Sequence, residues 1–142
     1  MLSTKLVHER LSQIRASAIR LQKLMAHGKD NFVSEPDNFA IAEHHLRRAL
    51  EAVLDIGRHI IAKQGLGVPN DYRGILLALG QHGVLPQEFV KKVQGMAGYR
   101  NRLVHGYADV SPQEIYDVLD RHLKDFAEFS ERILAFLESE RD

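Results

Sequence analysis

Apolar residues recur every three or four positions along almost all of this chain, the spacing of helices that each bury one face. Val7, Leu11, Ile14, Ala18, Leu21 and Met25 draw one stripe, with Arg10, Arg15, Arg20 and Lys23 left around it for water. A first helix is expected there. The stretch "GKDNFVSEPDN" interrupts the pattern, and its Ser34, Pro36 and Asp37 form the cap region expected to open a second helix. Phe39, Ala42, Leu46, Ala49, Val53, Ile56 and Ile60 then repeat over about six turns. Leu50, Leu54 and Ile61 widen that stripe towards further neighbours, and the glycines and proline of "KQGLGVPNDY" stop it.

Next, "YRGILLALGQHGVL" predicts a short apolar helix ended by Gly80 and Gly83. Pro86 suits the first turn of the following segment, "PQEFVKKVQGMAGYRN". At 111–114 the sequence "SPQE" is a strong helix start: Ser111 caps, Pro112 takes the first position and Glu114 completes a capping box. Ile115, Leu119, Leu123, Phe126, Phe129, Ile133 and Phe136/Leu137 line one face of a long last helix. No stretch alternates as a strand would. The expected fold is all-α, an antiparallel four-helix bundle with one additional short helix, in a single domain over residues 1–142.

Composition narrows the function more than the fold. The 142 residues suffice for one core, and 44% hydrophobic with 27% charged is a globular balance. No run of apolar residues is long enough for a transmembrane helix, so no membrane association is expected. The start "MLSTKLVHERLSQIR" has charges throughout and no apolar centre, so no signal peptide is expected and the cytoplasm is the expected location. The lack of cysteine excludes disulfides and thiolate metal sites. Zero net charge argues against indiscriminate coating of nucleic acid. Its distribution is uneven, however: residues 1–108 carry 15 Lys+Arg against 9 Asp+Glu, and residues 109–142 carry 4 against 10. A chain that is +6 and then −6 points to a polyanion-facing surface or a complementary partner.

The densest chemistry lies in "GYRNRLVHGYADV", residues 98–110, which gathers Arg100, Asn101, Arg102, His105 and Tyr107 with no acid before Asp109. On a continuous helix Arg100 and His105 would lie about 140° apart. They would converge if the helix ended near Val104, with Gly106 permitting the turn. Taken singly, each has a plain reading: Arg100 a helix-end cation on carbonyls or on an acid of the last helix, His105 a structural hydrogen bond, Tyr107 packing. The capping box at Ser111 already starts the next helix, so His105 and Tyr107 are not needed for that.

The pattern Arg-x4-His-x-Tyr in "RNRLVHGY", with "ALEAVLDIGRHIIAKQGLGVPNDYRGILLALGQHGVLP" and "GMAGYRNRLVHGY" around it, resembles HepT-type toxins of the HEPN superfamily, including the Asp55/His59 pairing. The resemblance implies an all-helical, dimeric endoribonuclease that needs neither metal nor cofactor. Its partner would be a minimal nucleotidyltransferase antitoxin, forming a hetero-oligomer and transferring adenylyl groups to the motif tyrosine, here Tyr107. The chemistry is coherent. Cleaving RNA with its own 2′-OH needs a base, an acid for the 5′-oxygen and positive charge on the phosphorus centre. His105 suits proton transfer near neutral pH and Arg100 suits phosphate binding. Asn101 and Arg102 are candidate auxiliary contacts, and Lys91 and Lys92 candidate contacts along the RNA backbone. The second acid or base is left open between a symmetric partner's motif, water and Tyr107.

The rival reading is a non-catalytic helical module that binds nucleotide or RNA at the same basic site, or only docks a nucleotidyltransferase. A carboxylate-bridged metal site needs inward Glu-x-x-His pairs, and Glu43 with Leu46 three positions on does not make one. His44 and His45 are adjacent, diverge by about 100° and are expected in solvent. Asp55 and His59, at i and i+4, are expected to be a hydrogen-bonded pair that fixes helix packing.

Overall fold

A computed structural model describes residues 2–105 and 110–140 of the chain. Among them are six helices: α1 (Thr4–Met25), α2 (Lys29–Ser34), α3 (Pro36–Gln64), α4 (Tyr72–Gln81), α5 (Gln87–His105) and α6 (Pro112–Glu140). The four long ones form the expected bundle, α1 lying along α3, α6 closing onto both, and α5 packing on α3 and α4. No described helix is long and apolar enough to cross a membrane.

Two short helices are present where one was expected. The additional one is α2, six residues inside the stretch read as an interruption, with Phe32 wholly buried against α6 and α3. Ser34 therefore ends α2 and donates its hydroxyl to the Asn31 carbonyl at 3.0 Å, and does not cap the next helix. Glu35 holds the cap position of α3 in extended conformation, which the following Pro36 enforces. At the other end of α3, Gly65 turns left-handed at φ 65° and its N–H closes on the Ile61 carbonyl.

Gly83, at φ 76°, makes the turn after α4. Gly80 does not terminate that helix: it is buried within it, and a Cβ there would come within 2.9 Å of Val90 Cγ2 on α5. Gly57 plays the same part on α3, where a Cβ would stand 2.6 Å from Ile75 Cγ2 on α4. These two close approaches bring α3, α4 and α5 together as a tight trio. Phe126, Ile14, Leu46, Leu54, Ile56, Ile60 and Leu103 fill the space between the long helices with 1% or less of their surface exposed. Each such side chain contributes roughly 1.5–3 kcal/mol through burial.

Candidate functional site

The trio of helices converges on Arg100. Its Nε donates to Glu51 Oε1 of α3 at 2.5 Å, and its guanidinium carbon lies 5.0 Å over the ring of Tyr72, the first residue of α4. Its Nη1 reaches Asn101 Oδ1 at 3.3 Å. Tyr72 turns its hydroxyl towards the same Glu51 oxygen, at 3.5 Å. The plain reading of Arg100 as a cation on carbonyls or on an acid of the last helix is thus replaced: its acid sits on α3, 49 residues away.

The electrostatics reinforce this cage. The hydrogen bond to Glu51 holds the guanidinium even more firmly protonated than usual. Burial pushes the Tyr72 phenol well above its ordinary range, with the Glu51 charge adding to it, so Tyr72 remains a donor. Arg100 is three-quarters covered yet keeps one edge of its planar fork free of protein partners among the described residues. Such a held guanidinium suits the oxygens of an anion.

Arg102 takes a different course. It forms a two-pronged pair with Glu114 in the first turn of α6, Nη1 on Oε2 and Nη2 on Oε1 at 3.0 Å. Tyr99 donates to the same carboxylate at 2.7 Å and its ring lies under Arg102 at 5.3 Å. Half of the expected capping box forms: Ser111 Oγ accepts from the Glu114 N–H at 3.1 Å, while the Glu114 carboxylate goes to Arg102 and Tyr99. The hydrogen bond from Arg102, then that from Tyr99, holds Glu114 below the usual carboxylate range. This clasp joins α5 to α6 across the segment that contains Tyr107.

The other candidates are placed as follows. α5 is described through His105, one residue past the end expected near Val104, and backbone positions 100 and 105 both lie in its last turns. The His105 side chain and Tyr107 lie outside the described residues. Lys92 is paired with Glu128 at 3.1 Å and approaches the buried Asp125 at 3.7 Å, both on α6. Lys91 is exposed, nine residues and so about 13–14 Å along the axis from Arg100.

Asp55 and His59 do not bond each other. Asp55 pairs with Arg10 at 2.9 Å and Arg58 at 3.2 Å, and His59 Nε2 accepts the Ser3 N–H at 2.8 Å. Both fix α3 to α1, each by its own bond. His44 is exposed as expected, but His45 is partly covered and hydrogen-bonded at 3.3 Å to the buried Ser17. Among the described residues no three His, Asp or Glu side chains gather as metal ligands would.

Glu51 and Tyr72 are the site residues that sequence reasoning missed. The available hint was Glu51 itself, the one acid inside "ALEAVL", with the stripe residues Leu50 and Val53 on either side.

Residues 14–133 match the family described as "Ribonuclease HepT-like". The chain belongs to the HepT-like ribonuclease family. Among HepT relatives, the mRNA nuclease HepT of Shewanella oneidensis is 34% identical over 91 residues, 64% of this chain and 68% of that one. The tRNA nuclease HepT of Aphanizomenon flos-aquae is 27% identical over 132 residues, 93% of this chain and 90% of its own. A toxin–antitoxin crystal structure with AMP-PNP superposes with a TM-score of 0.85 at 27% identity, covering 92% of this chain and 98% of that chain. The tri-AMPylated S. oneidensis HEPN toxin in complex with MNT antitoxin does so at 0.84 and 28%, covering 92% and 97%. The family resemblance and the all-helical HEPN-like fold expected from the sequence are both borne out.

Proposed function

We propose that this HepT-like chain is a metal-independent endoribonuclease toxin in which Arg100 binds the scissile phosphate and His105 transfers a proton. A nucleotidyltransferase antitoxin neutralises it by adenylylating Tyr107. The observation that carries this reading is the cage around Arg100: Glu51 and Tyr72, from two other helices, orient the motif arginine before any substrate arrives. A donor fixed in advance stabilises charge developing on phosphate without reorganising during the reaction.

In the step proposed, the RNA 2′-OH gives up its proton, the 2′-oxygen bonds to phosphorus, the phosphorus–O5′ bond breaks and O5′ is protonated. His105 serves one of the two proton transfers. A second copy of the motif, supplied across the dyad of a homodimer, serves the other. Asn101 supports Arg100 through the bond between them. Lys91 extends the contact along the RNA backbone, whereas Arg102 and Lys92 act first as struts to α6. The named relatives support this reading: both are nucleases, and the solved neighbours are toxins held with antitoxins, one of them AMPylated. Cellular RNA as the substrate fits the cytoplasmic location expected from the sequence.

Expression of the parent and of His105→Ala without any partner, scored for growth and RNA integrity, tests the proposal. The parent arrests growth and degrades RNA, and the variant does neither; cleavage by the purified protein persists in EDTA. A His105→Ala protein that cuts as fast as its parent overturns the assignment. Binding of RNA without turnover by the parent turns the reading into that of a non-catalytic module. Co-expression with the nucleotidyltransferase adds mass in steps of one AMP at Tyr107.

A further inference from the structure

Beside the Arg100 cage a groove of about 250 Å³ opens between the start of α4 and the outer face of α5, lined by Asp71, Tyr72, Arg73, Gln94, Gly98 and Asn101. Gln94, Gly98 and Asn101 stand at i, i+4 and i+7, one above the other on a single face of α5. The middle of the three has no side chain. A helical glycine is less stable than alanine, and at Gly98 no packing demands one: a Cβ there would meet nothing within 4 Å. What the missing side chain supplies is room.

The groove's polar groups are mixed: Asp71 caps α4, its Oδ1 accepting the Gly74 N–H at 2.8 Å, and its other oxygen is left to the groove. Among the described residues neither the Arg73 guanidinium nor the Gln94 amide has a partner, and Asn101 uses only its carbonyl, on Arg100. Two amides, a cation and the Asp71 carboxylate offer donors and acceptors side by side. Asp71 makes this a poor seat for a second phosphate and a good one for the edge of a neutral heterocycle, and unpaired RNA bases are read in this way, by hydrogen bonds to their edges. The volume falls just under the roughly 300 Å³ at which pockets for drug-sized ligands begin, so it fits one ring system and no folded element of another protein.

We propose that this groove is a subsite for one nucleobase of the RNA substrate, adjoining the phosphate held on Arg100. The inference rests on the reading of Arg100 as the phosphate-binding residue. Asn101 links the two parts, since its carbonyl oxygen accepts from Arg100 and the residue also lines the groove.

The test is an NMR titration of the protein with inorganic phosphate and with each of the four nucleoside 3′-monophosphates, following the side-chain amides of Gln94 and Asn101. At least one nucleotide binds about tenfold more tightly than inorganic phosphate, a difference of about 1.4 kcal/mol, and shifts both amides. Gly98→Leu, whose Cβ meets nothing within 4 Å, puts an apolar side chain at the groove with better helix propensity. It removes the tenfold advantage and leaves phosphate affinity unchanged, whereas Gly98→Ala keeps most of it. Equal binding of nucleotides and phosphate overturns the subsite, as does an advantage that survives Gly98→Leu. It falls too if Gly98→Leu spares the nucleotides and weakens only the complex with the nucleotidyltransferase, which would make the groove a protein contact. The two readings fail separately: parent protein that cleaves RNA but ignores the base loses only the subsite. Parent protein that prefers a base but cleaves nothing loses only the ribonuclease assignment.

Discussion

Glu51→Gln separates what holds Arg100 in the fold from what holds it in the right orientation. The change keeps the length of the side chain and an acceptor oxygen but removes the charge that anchors Nε. The two partners are 25% and 36% exposed, so water screens the pair, and its contribution to stability is about 0.5–1 kcal/mol. The larger penalty for stranding a deeply buried charge does not apply, because Arg100 reaches solvent along its free edge. At roughly 2–4 °C per kcal/mol for a chain near this size, Tm falls by about 1–4 °C. Catalysis suffers more. A guanidinium released at Nε can swivel over Tyr72, and loss of one charge-assisted hydrogen bond worth about 1.5–3 kcal/mol sets the scale. The expected fall in kcat is about 10- to 100-fold, with KM little changed. Thermal melting and single-turnover cleavage of one RNA measure both sides. A variant that melts as predicted but cleaves within twofold of its parent refutes the claim that Glu51 orients Arg100 for the reaction.

Three further outcomes follow from the packing and the ionised groups. Gly57→Ala forces a methyl group against Ile75 Cγ2 at 2.6 Å. The overpacking cost of about 1–3 kcal/mol exceeds a helix-propensity gain of about 1, so Tm drops by several degrees. Adding Ile75→Leu, which withdraws Cγ2, recovers most of it, and a Gly57→Ala protein more stable than its parent would show that α3 and α4 separate freely. Glu114 titrates below the usual carboxylate range in the fold, so the Arg102 clasp is present above the ordinary value of about 4.3 and is lost as pH falls through the lowered one. The melting difference between parent and Glu114→Gln therefore closes in acid, and one that persists unchanged there counts against the clasp. Burial, then the Lys63 charge, lowers His59, whose neutral Nε2 accepts from Ser3. That anchor is complete above about pH 6.5 and weakens as pH falls through the lowered folded value, so the first turn of α1 exchanges its amides faster in acid. His59→Gln is expected to flatten this dependence, and hydrogen exchange with an equally steep profile in the variant removes His59 as its cause.

The long helices were legible because each carries its own apolar stripe, and a stripe is local information. α2 was not, since six residues span less than two turns and only Phe32 faces the core. Gly80 shows why a glycine is ambiguous in sequence: the same letter breaks helices and lets two of them touch, and only its neighbour Val90 decides. Asp55 and His59 had the right spacing to meet, yet Arg10 and Ser3 on α1 made the better partners. The Arg100 cage was hidden for the same reason. Its acid is 49 residues distant and its aromatic platform 28, and no periodicity within one helix encodes a contact between three.

α6 supplies Ile115, Val118, Leu119, Phe126, Phe129, Ile133 and Leu137 to the interior, and its acids meet Lys29, Lys92 and Arg102. It is also made after α1–α5. At about 5–20 residues per second, its 29 residues take roughly 1.5–6 s to make. Throughout that interval Glu51, Tyr72 and Arg100 already exist on a nascent chain of net positive charge whose core is still open along one side. The order of synthesis thus becomes a delay: the arginine and its cage partners are made early, and the core beside them is complete only once the acidic helix is made.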